Sequence, residues 1–454
     1  MFNEFSEFQK RRMDLLEQLV KKKWFGELKS NEELSKLEQD LKEKYKIKED
    51  YGYVKDQIRL AMGLDPRGNM EFSDELDIIK NIKGIKPPVV TKMNDPCYKK
   101  FEDISKYDSS IYKRTKEPVI INNKCLSCGE EVSSLSFESI ADKIEFIPLI
   151  DLLKDSNTEV YATVAPSIIG QFGDNITMGQ IRTALKLMGF KDMIEVALFA
   201  DMLTIKEAYE FNHLVKGKND FFLTSCCCPI WVSLIEKNYP KLFEKMSPSV
   251  SPMILSGRIL KKFYNKAKVV FIGPCIAKKS EAKDKRYEGD IDFVLTFREL
   301  KSIFSALDID LKELYADEKD QASFAGRVYA RTGGVSFSVK SVVNRIAPKR
   351  LIKFRSKKID GVKECKKILD DLSMGKKIES NFIEGMGCEG GCVGGPRTNI
   401  DVKRATEIVN EFGEDSLIMT PFDNMNVMKI FDQLGIKNLK QIVEESELTK
   451  IFTR

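Results

Sequence analysis

The sequence has neither a long apolar segment nor a strong charge of either sign. No run of about 18 apolar residues occurs among its 454 residues, so the pattern predicts no membrane-spanning helix. The 74 Lys and Arg residues and 69 Asp and Glu residues leave a formal net charge of +5, which is too small to indicate nucleic-acid binding. No internal repeat of solenoid length is present. With 42% hydrophobic residues, the chain has the composition of a globular protein, and its length predicts two or three domains.

The N-terminal residues also lack a usable export signal. Lys10-Arg11-Arg12 resembles the start of a twin-arginine signal, but Asp14 and Glu17 interrupt the apolar stretch that such a signal needs. We therefore expect a cytoplasmic protein in a reducing compartment. The ten cysteines are unevenly spaced, which disfavours a disulfide framework and favours metal binding or redox chemistry.

Three separated blocks hold the most informative cysteines. Their sequences are TSCCCP at 224–229, GPCIAKKSE at 273–281 and EGMGCEGGCVGG at 384–395. Each block places Gly or Pro within a residue or two of a thiol, and such residues let backbone N–H groups point at an inorganic cluster. One such block alone would more often contain buried structural cysteines. Three together favour an iron–sulfur site, because a cubane needs four thiolates and these blocks can supply them.

The three blocks resemble the active-site signatures of the [FeFe]-hydrogenases, in the subgroup that has the TSCCCP motif. The resemblance extends from about residue 160 to about residue 435. Further blocks keep the family order: VAPS at 164–167, ADMLTIKEAYE at 200–210, TGG at 332–334 and TPFDNMN at 420–426. The resemblance implies an α/β two-lobed catalytic domain with the cluster between the lobes.

We expect three regions along the chain. Apolar residues at helical spacing, such as Leu34, Leu37 and Leu41, predict a helical N-terminal region at 1–94. A degenerate ferredoxin-like segment follows at 95–150, and the catalytic domain occupies 151–454. In that domain the pattern alternates strands with helices, as α/β folds do. The predicted strands include 160–165, 221–223, 269–273, 293–295 and a short one that enters Glu384.

The segment 95–150 resembles a bacterial ferredoxin module that has lost part of its cysteine run. Cys125 and Cys128 keep the first spacing, but Glu131 stands where the third cysteine belongs and the fourth is also missing. A standard accessory [4Fe–4S] cluster cannot be built from this run. The alternative to a degenerate remnant is a metal held by Cys97, Cys125, Cys128 and either Glu131 or Cys365.

The resemblance also implies the metal ligands. The cysteines that would hold a [4Fe–4S] cubane are Cys228, Cys275, Cys388 and Cys392. Of these, Cys392 would also bridge to a diiron subsite with CO, cyanide and dithiolate ligands, which completes the H-cluster. The residues implied around the diiron subsite are Pro166, Ser167, Pro274, Lys278 and Met386. Lys278 and Ser167 would donate hydrogen bonds to cyanide, although a solvated surface charge is the alternative for Lys278.

Hydrogen chemistry also needs a base and a route for protons. The resemblance implies that the bridging dithiolate amine is the base and that Cys227 relays the proton outward. The onward route is implied to run through Glu281, Ser251, Glu207 and Glu210. Glu207 and Glu210 are three apart on a predicted helix and share a face, so they can exchange a proton directly or through water. Solvated surface glutamates are the alternative interpretation.

The implied activity is the reversible reduction of protons to H2 with electrons from ferredoxin or a similar acidic carrier, which the basic excess would attract. Hydrogenase maturation proteins would deliver the diiron unit. One alternative is a protein that senses H2, turns over slowly and signals to a partner through residues 1–150. Another is a non-catalytic iron–sulfur assembly protein, which we would expect to lack Cys227, Lys278, Glu281 and Met386.

Overall fold

The structure is a computed structural model that describes residues 7–47, 52–81, 84–92, 140–444 and 446–454. These residues fall into two compact units. The first unit comprises the described residues up to 156 together with 298–310, and the second comprises the other described residues from 157 onward. Cys97, Cys125, Cys128 and Glu131 lie outside the described residues, so the metal site predicted there stays a prediction. The domain boundaries at 94 and 150 stay predictions as well.

The secondary structure consists of short strands separated by helices; β1 and β2 pair antiparallel, and the other described strands pair in parallel. The described strands are β1 Val90–Lys92, β2 Ile140–Asp142, β3 Val160–Val164, β4 Asp192–Glu195, β5 Phe222–Leu223, β6 Lys268–Gly273, β7 Phe293–Thr296, β8 Ser356–Asp360 and β9 Phe382–Met386. The described helices are α1 Glu7–Trp24, α2 Asn31–Lys44, α3 Tyr53–Ala61, α4 Glu75–Asn81, α5 Phe146–Lys154, α6 Met178–Leu187, α7 Val196–Leu214, α8 Pro229–Asn238, α9 Pro240–Phe243, α10 Pro252–Phe263, α11 Ala277–Ala282, α12 Phe297–Ala306, α13 Phe324–Arg327, α14 Gly334–Ile346, α15 Val362–Ser373, α16 Val402–Glu414, α17 Met425–Gln433, α18 Gln441–Glu444 and α19 Ser446–Phe452.

The first unit is mainly helical, as the spacing of its leucines predicts. The apolar side chains of α1 and α2 that are buried include Leu15, Leu16, Leu19, Val20, Leu34, Leu37 and Leu41. Helix α2 begins after Ser30, whose backbone N–H donates to Glu33 Oε2 at 3.1 Å. This contact satisfies a donor that the first helical turn leaves without a backbone partner. The predicted helical N-terminal region is therefore confirmed.

The second unit contains two parallel sheets. The first has the strand order β4-β3-β6-β7 and the second has the order β5-β9-β8. All residues of β3 and β9 are buried, as expected for central strands of parallel sheets that helices cover on both faces. The sheets therefore provide two rigid platforms within one unit.

The three cysteine blocks lie at the carboxyl ends of strands. Block 224–229 follows β5 directly, block 273–281 begins at the last residue of β6, and block 384–395 begins inside β9. Loops that leave the carboxyl ends of parallel strands are where α/β folds build their sites. The strands predicted at 160–165, 221–223, 269–273 and 293–295 all correspond to strands of the structure, and the predicted α/β fold is confirmed.

The apolar pattern of the sequence does not predict two strands of the second unit, β4 and β8. β4 and β8 each form one edge of their sheet, and β8 has the sequence SKKID, in which lysines face solvent. Edge strands protected by charged side chains show weak apolar alternation. None of the helices within the described ranges combines the length and apolar character needed to cross a bilayer.

Candidate iron–sulfur site

The first and third cysteine blocks meet through backbone contacts. The N–H of Thr224 donates to the Ile383 carbonyl at 3.0 Å, where β5 runs parallel to β9. The N–H of Gly387 donates to Cys228 Sγ at 3.2 Å. An N–H donor of this kind stabilises negative charge on sulfur, which is what an iron-bound thiolate carries. Cys228 also stands at the start of α8, where Pro229 occupies the first helical position.

Two glycines allow this close approach. A Cβ on Gly385 would lie 2.4 Å from the Trp231 ring, and a Cβ on Gly387 would lie 2.6 Å from the Ile230 Cβ. The Trp231 indole is fully buried and its Nε1–H donates to the Thr224 carbonyl at 2.8 Å. The glycines of block 384–395 are therefore required by packing against the first turn of α8.

The second and third blocks are also joined. The N–H of Arg397 donates to the Pro274 carbonyl at 3.0 Å, and a Cβ on Gly395 would lie 2.8 Å from the same oxygen. The backbone N–H groups of Ala277 and Lys278 donate to the Cys275 thiol. Cys275 therefore receives the same kind of N–H donation that Cys228 receives from Gly387.

The thiols of the predicted ligands influence one another electrostatically. Burial raises the pKa of Cys275 to about 11, and the neighbouring Cys228 acts in the same direction. Burial raises the pKa of Cys392 to about 12, again with Cys228 and also Cys275 as contributors. Cys388 lies in the same loop as Cys392, and its carbonyl accepts from the Gly391 N–H at 3.0 Å. The structure thus brings the three blocks together as the sequence predicts.

The predicted ligand sulfurs have the chemistry of a cluster site. No three Cys, His, Asp or Glu side chains of the described ranges are grouped as the ligands of one metal ion would be. Sulfurs drawn from three loops, with N–H groups aimed at two of them, match the donor set of an iron–sulfur cluster. Deprotonation of such buried thiols requires a positive partner, and iron supplies one.

Lys278 lies beside the cysteines and is not a surface charge. Its Nζ donates to Glu281 Oε2 at 2.6 Å, and both side chains are only 9% exposed. Burial alone would lower the pKa of Lys278, but the Glu281 carboxylate, with Cys227 and Cys275, more than offsets this and raises it. The solvated alternative for Lys278 therefore does not describe this buried side chain.

Ser167 and Met386 are buried at the same end of the sheets. Ser167 lies in the 3₁₀ turn Pro166–Ile168 that follows β3, where Ala165 N–H donates to the Ile272 carbonyl of β6 at 2.9 Å. Its Oγ is buried and makes no hydrogen bond in the structure. Met386 is 1% exposed at the end of β9. An unpartnered hydroxyl at this place is a donor available to a bound group.

The triple-cysteine loop turns Cys226 and Cys227 toward different neighbours. Ser225 has φ of 71°, a left-handed conformation that is unusual for a serine. Burial raises the pKa of Cys227, with Cys392 and Cys228 as its next contributors, whereas the Cys226 thiol is buried against Glu207. Cys227 therefore faces the predicted ligands, and Cys226 faces the predicted proton route.

Glu207 and Glu210 are both buried in α7. Thr224 Oγ1 donates to Glu207 Oε2 at 2.5 Å, and Ser247 Oγ donates to Glu210 Oε2 at 2.8 Å. Burial raises the pKa of Glu207 to about 7; the Thr224 hydrogen bond acts in the opposite direction, and the nearby charge of Glu210 adds a smaller increase. Solvated surface glutamates are therefore not what the structure shows.

The predicted order of the proton route is only partly reflected in contacts. Glu281 pairs with Lys278, three residues before it on α11, and no hydrogen bond of the described residues joins it to Ser251, Glu207 or Glu210. Ser251 is buried at the start of α10, where its Oγ accepts from the Ile254 N–H at 3.4 Å. Glu281 is ion-paired with the buried Lys278, so the place of Glu281 in the proton route stays a prediction.

Sequence reasoning missed three residues of this region. Lys206 is fully buried, and its Nζ donates to Glu210 and to Ser249 Oγ at 2.9 Å. Ser247, the third residue, donates from its Oγ to Glu210 Oε2. A lysine four residues before a glutamate on a predicted helix is the signal that could have found the Lys206 contact; the serines come from a distant loop and carry no such signal.

Cys365 also lies in the second unit. It is 1% exposed in α15, and its thiol donates to the Met386 carbonyl at 3.3 Å. The charge of Cys228 influences it as well. Cys365 therefore contacts the end of β9 two residues before Cys388 and supports the loop that carries Cys388.

Parallel sheets whose cysteine-bearing loops meet at the strand ends define the class of this chain as an iron–sulfur protein. Residues 158–396 match the family model described as iron only hydrogenase large subunit, C-terminal domain. The match covers more than half of the 454 residues, and the chain belongs to this family. Membership supports an iron–sulfur cofactor and an oxidoreductase role. The TSCCCP subgroup is finer than this match and stays a prediction.

Curated relatives include proteins with two different roles. Iron hydrogenase 1 of Clostridium pasteurianum is 28% identical over 338 residues, which are 62% of this chain and 58% of that protein. A probable cytosolic Fe–S cluster assembly factor of Drosophila ananassae is 22% identical over 439 residues, which are 80% of this chain and 92% of that protein. The chain thus spans just over half the length of the hydrogenase, and these relatives leave the activity to be decided by the site.

A solved structure supports the fold. An [FeFe]-hydrogenase from Chlamydomonas reinhardtii aligns with a TM-score of 0.54 at 20% identity, over 67% of this chain and 96% of that chain. At this identity the likeness shows the fold alone. The predicted hydrogenase-type α/β domain is thereby confirmed.

Proposed function

We propose that this chain is an [FeFe]-hydrogenase, which reversibly reduces protons to H2. The observation that carries the proposal is the buried Lys278–Glu281 pair beside Cys227 and Cys275. Keeping a charged pair buried is costly unless it serves a bound group or is well compensated. A protein that holds only a cubane needs no buried cation at this place, whereas cyanide ligands need a donor.

The proposed cluster ligands are Cys228, Cys275, Cys388 and Cys392. In this proposal Cys392 is shared with a diiron subsite that carries CO, cyanide and a dithiolate. When bound, this group supplies the electron store and the open iron site at which protons and electrons combine. The chain supplies its orientation, a dry pocket and a path for protons.

The side chains around the thiols have distinct roles in the proposal. Lys278 Nζ and Ser167 Oγ would donate hydrogen bonds to the cyanide ligands and so orient the diiron unit. Met386 would exclude water from the pocket, and Pro166 and Pro274 would hold the two loops that line it. A buried donor counts for more in such a pocket than in water.

Proton movement begins at Cys227 in the proposal. Cys227 is placed against the ligands by the same loop that places Cys226 against Glu207. Because the pKa of Glu207 is raised to about 7, this carboxyl can both accept and release a proton near neutral pH. The Glu207 carboxyl is therefore the proposed inner station of the route.

Electrons are proposed to come from an acidic carrier such as a ferredoxin. Exposed lysines of β8 and α15 surround the edge of the sheet that leads into Cys388: Lys357, Lys358, Lys363 and Lys367. β8 pairs with β9 in a register that sets Asp360 opposite Met386, two residues before Cys388. A positive surface this close to a ligand suits an electron carrier of opposite charge.

The test is H2 evolution by protein that was matured anaerobically with hydrogenase maturation proteins. Reduced methyl viologen and reduced ferredoxin serve as donors in parallel assays. We expect turnover in the wild type, at least a hundredfold less in Lys278→Met, and wild-type rates in Lys285→Met, an exposed lysine a few residues away. Wild-type protein with a full complement of iron that evolves no H2 would overturn the proposal.

A second candidate function is iron–sulfur cluster assembly. It is favoured by the likeness to the Drosophila ananassae assembly factor over 80% of this chain. In that case the four cysteines would hold a cubane, and Lys278→Met protein that retains a full cubane would support cluster assembly as well as the wild type does.

A further inference from the structure

A buried ion pair lies at the outer end of the proposed proton route. The Lys206 side chain is fully buried and the Glu210 side chain is 5% exposed. Lys206 Nζ donates to Glu210 Oε1 and, at 2.9 Å, to Ser249 Oγ. Removing one partner of such a buried pair leaves an uncompensated charge and is strongly destabilising.

The loop at 247–250, whose serines contact the ion pair, is hydrogen-bonded to residues 452–454. Val250 N–H donates to the Phe452 carbonyl and Arg454 N–H donates to the Pro248 carbonyl, each at 2.9 Å. The Arg454 guanidinium also donates to the Ser247 carbonyl. Ser247 and Ser249, the two serines that contact the pair, are consequently fully buried.

Glu207 lies one helical turn closer to the cysteines on the same helix. Its charged and polar neighbours are Thr224, Cys226 and Cys227 from the cysteine loop, Tyr329 from the turn after α13, and Lys206 and Glu210 from α7 itself. The two carboxyls thus differ in their partners. Burial raises the pKa of Glu207 to about 7, whereas Glu210 is ion-paired with Lys206.

We infer that Lys206 is a positioning residue that limits how fast protons pass between Glu207 and solvent. The inference rests on the proposed function. In the outward step the proton of the Glu207 carboxyl moves to the Glu210 carboxylate, leaving Glu207 ionised, and Glu210 then releases it to solvent. Protonation of Glu210 breaks its ion pair with Lys206, so the pair opposes this step and keeps turnover low.

The first measurement is the pH dependence of unfolding, which does not require hydrogenase activity. In Lys206→Met an ionised Glu210 becomes an unpaired buried charge, and we expect the folding equilibrium constant at pH 8 to fall roughly a hundredfold or more. At pH 5.5 most of this loss should disappear, because Glu210 takes up a proton. The double variant Lys206→Met/Glu210→Gln should show no such difference between the two pH values.

The second measurement is the formation of HD from D2 in H2O by the matured holoenzyme. We expect Lys206→Met to exchange about tenfold faster than the wild type, which corresponds to one tenfold step in rate. Lys206→Met/Glu210→Gln should stay slow, because the amide cannot take up the proton. A purely structural lysine would alter unfolding and leave the exchange rate unchanged.

The outcomes separate the inference from the proposed function. Equal exchange in the wild type and Lys206→Met, or an unfolding profile of Lys206→Met that does not depend on pH more than that of the wild type, would overturn the inference. No HD from any fully loaded protein would overturn the proposed function and with it the role in proton transfer, while unfolding would still decide whether Lys206 holds Glu210 ionised.

Discussion

Lys278 Nζ and Glu281 Oε2 are 2.6 Å apart on one face of α11, and both side chains are 9% exposed. This pair lies next to Cys275, whose thiol receives the N–H groups of the same helix turn. The segment that follows β6 therefore brings a cation, its counter-ion and a proposed cluster ligand together within seven residues.

Breaking this pair should destabilise the chain before any cofactor is bound. Lys278→Met leaves Glu281 as a buried charge without a partner and should lower the free energy of unfolding by about 3–5 kcal/mol. Glu281→Gln keeps a hydrogen-bond acceptor for Lys278 and should cost less, about 1–2 kcal/mol. The double variant should recover most of the loss in denaturant unfolding of cluster-free protein. Strictly additive effects would show that the two side chains do not depend on each other.

Ser167 offers a contrast between stability and function. Its buried hydroxyl has no hydrogen-bond partner, so Ser167→Ala should leave the free energy of unfolding unchanged within about 0.5 kcal/mol or raise it. The matured variant should nevertheless evolve H2 about tenfold more slowly, because a donor to the diiron unit is lost. Thr163→Val is the matched control, since Thr163 Oγ1 is also buried without a partner. Equal rates for Ser167→Ala and wild type would remove Ser167 from the site.

Glu207 should make stability depend on pH. Its pKa is raised by burial to about 7 from 4.5, so the folded state binds its proton more tightly than the unfolded state does. The resulting stabilisation is fully present below pH 4.5 and is lost as the pH rises through about 7, at a cost of about 3 kcal/mol. Glu207→Gln should therefore gain stability relative to wild type at pH 8 and not at pH 4.5.

Urea unfolding between pH 4.5 and pH 8 measures this difference directly. The exposed glutamate Glu411 of α16 supplies the control variant Glu411→Gln. If Glu207→Gln and Glu411→Gln change stability by the same amount at every pH, the ionisation of Glu207 does not differ between the folded and unfolded states.

The exposed lysines near Cys388 should determine how tightly an acidic electron carrier binds. Lys363→Glu/Lys367→Glu should raise the KM for an acidic ferredoxin about tenfold at low ionic strength, because opposite charges steer the encounter. Added salt should shrink the difference, since it screens exposed charges. The rate with methyl viologen should not change. The control is Lys429→Glu on α17, which carries none of the cysteine blocks; an equal rise in KM for that variant would show an effect of net charge alone.

The sequence predicts that the cysteine blocks lie in loops at strand ends, because local residue types determine where strands end and loops begin. Apolar runs mark the buried strands β3, β6 and β7, and Gly and Pro beside the thiols mark the loops that leave β5, β6 and β9. Gly385 and Gly387 add a packing reason that appears only in the structure, since Trp231 and Ile230 occupy the space of their missing side chains.

The proton route could not be predicted to the same degree. Glu207 and Glu210 follow from helical spacing, but their partners Thr224, Ser247 and Ser249 come from loops distant in sequence. Spacing on α11 would have placed Glu281 beside Lys278, three residues earlier. Long-range contacts of polar side chains depend on how loops close, which no local pattern specifies.

Infrared spectroscopy of the anaerobically matured protein detects the proposed diiron unit itself, because CO and cyanide stretches fall where protein absorbs little. We expect these bands in the wild type, a change in them under H2, and a shift of the cyanide bands in Ser167→Ala. Protein that contains its cubane and was offered the diiron precursor, yet shows no CO or cyanide bands, would be an iron–sulfur protein with a hydrogenase fold and not a hydrogenase.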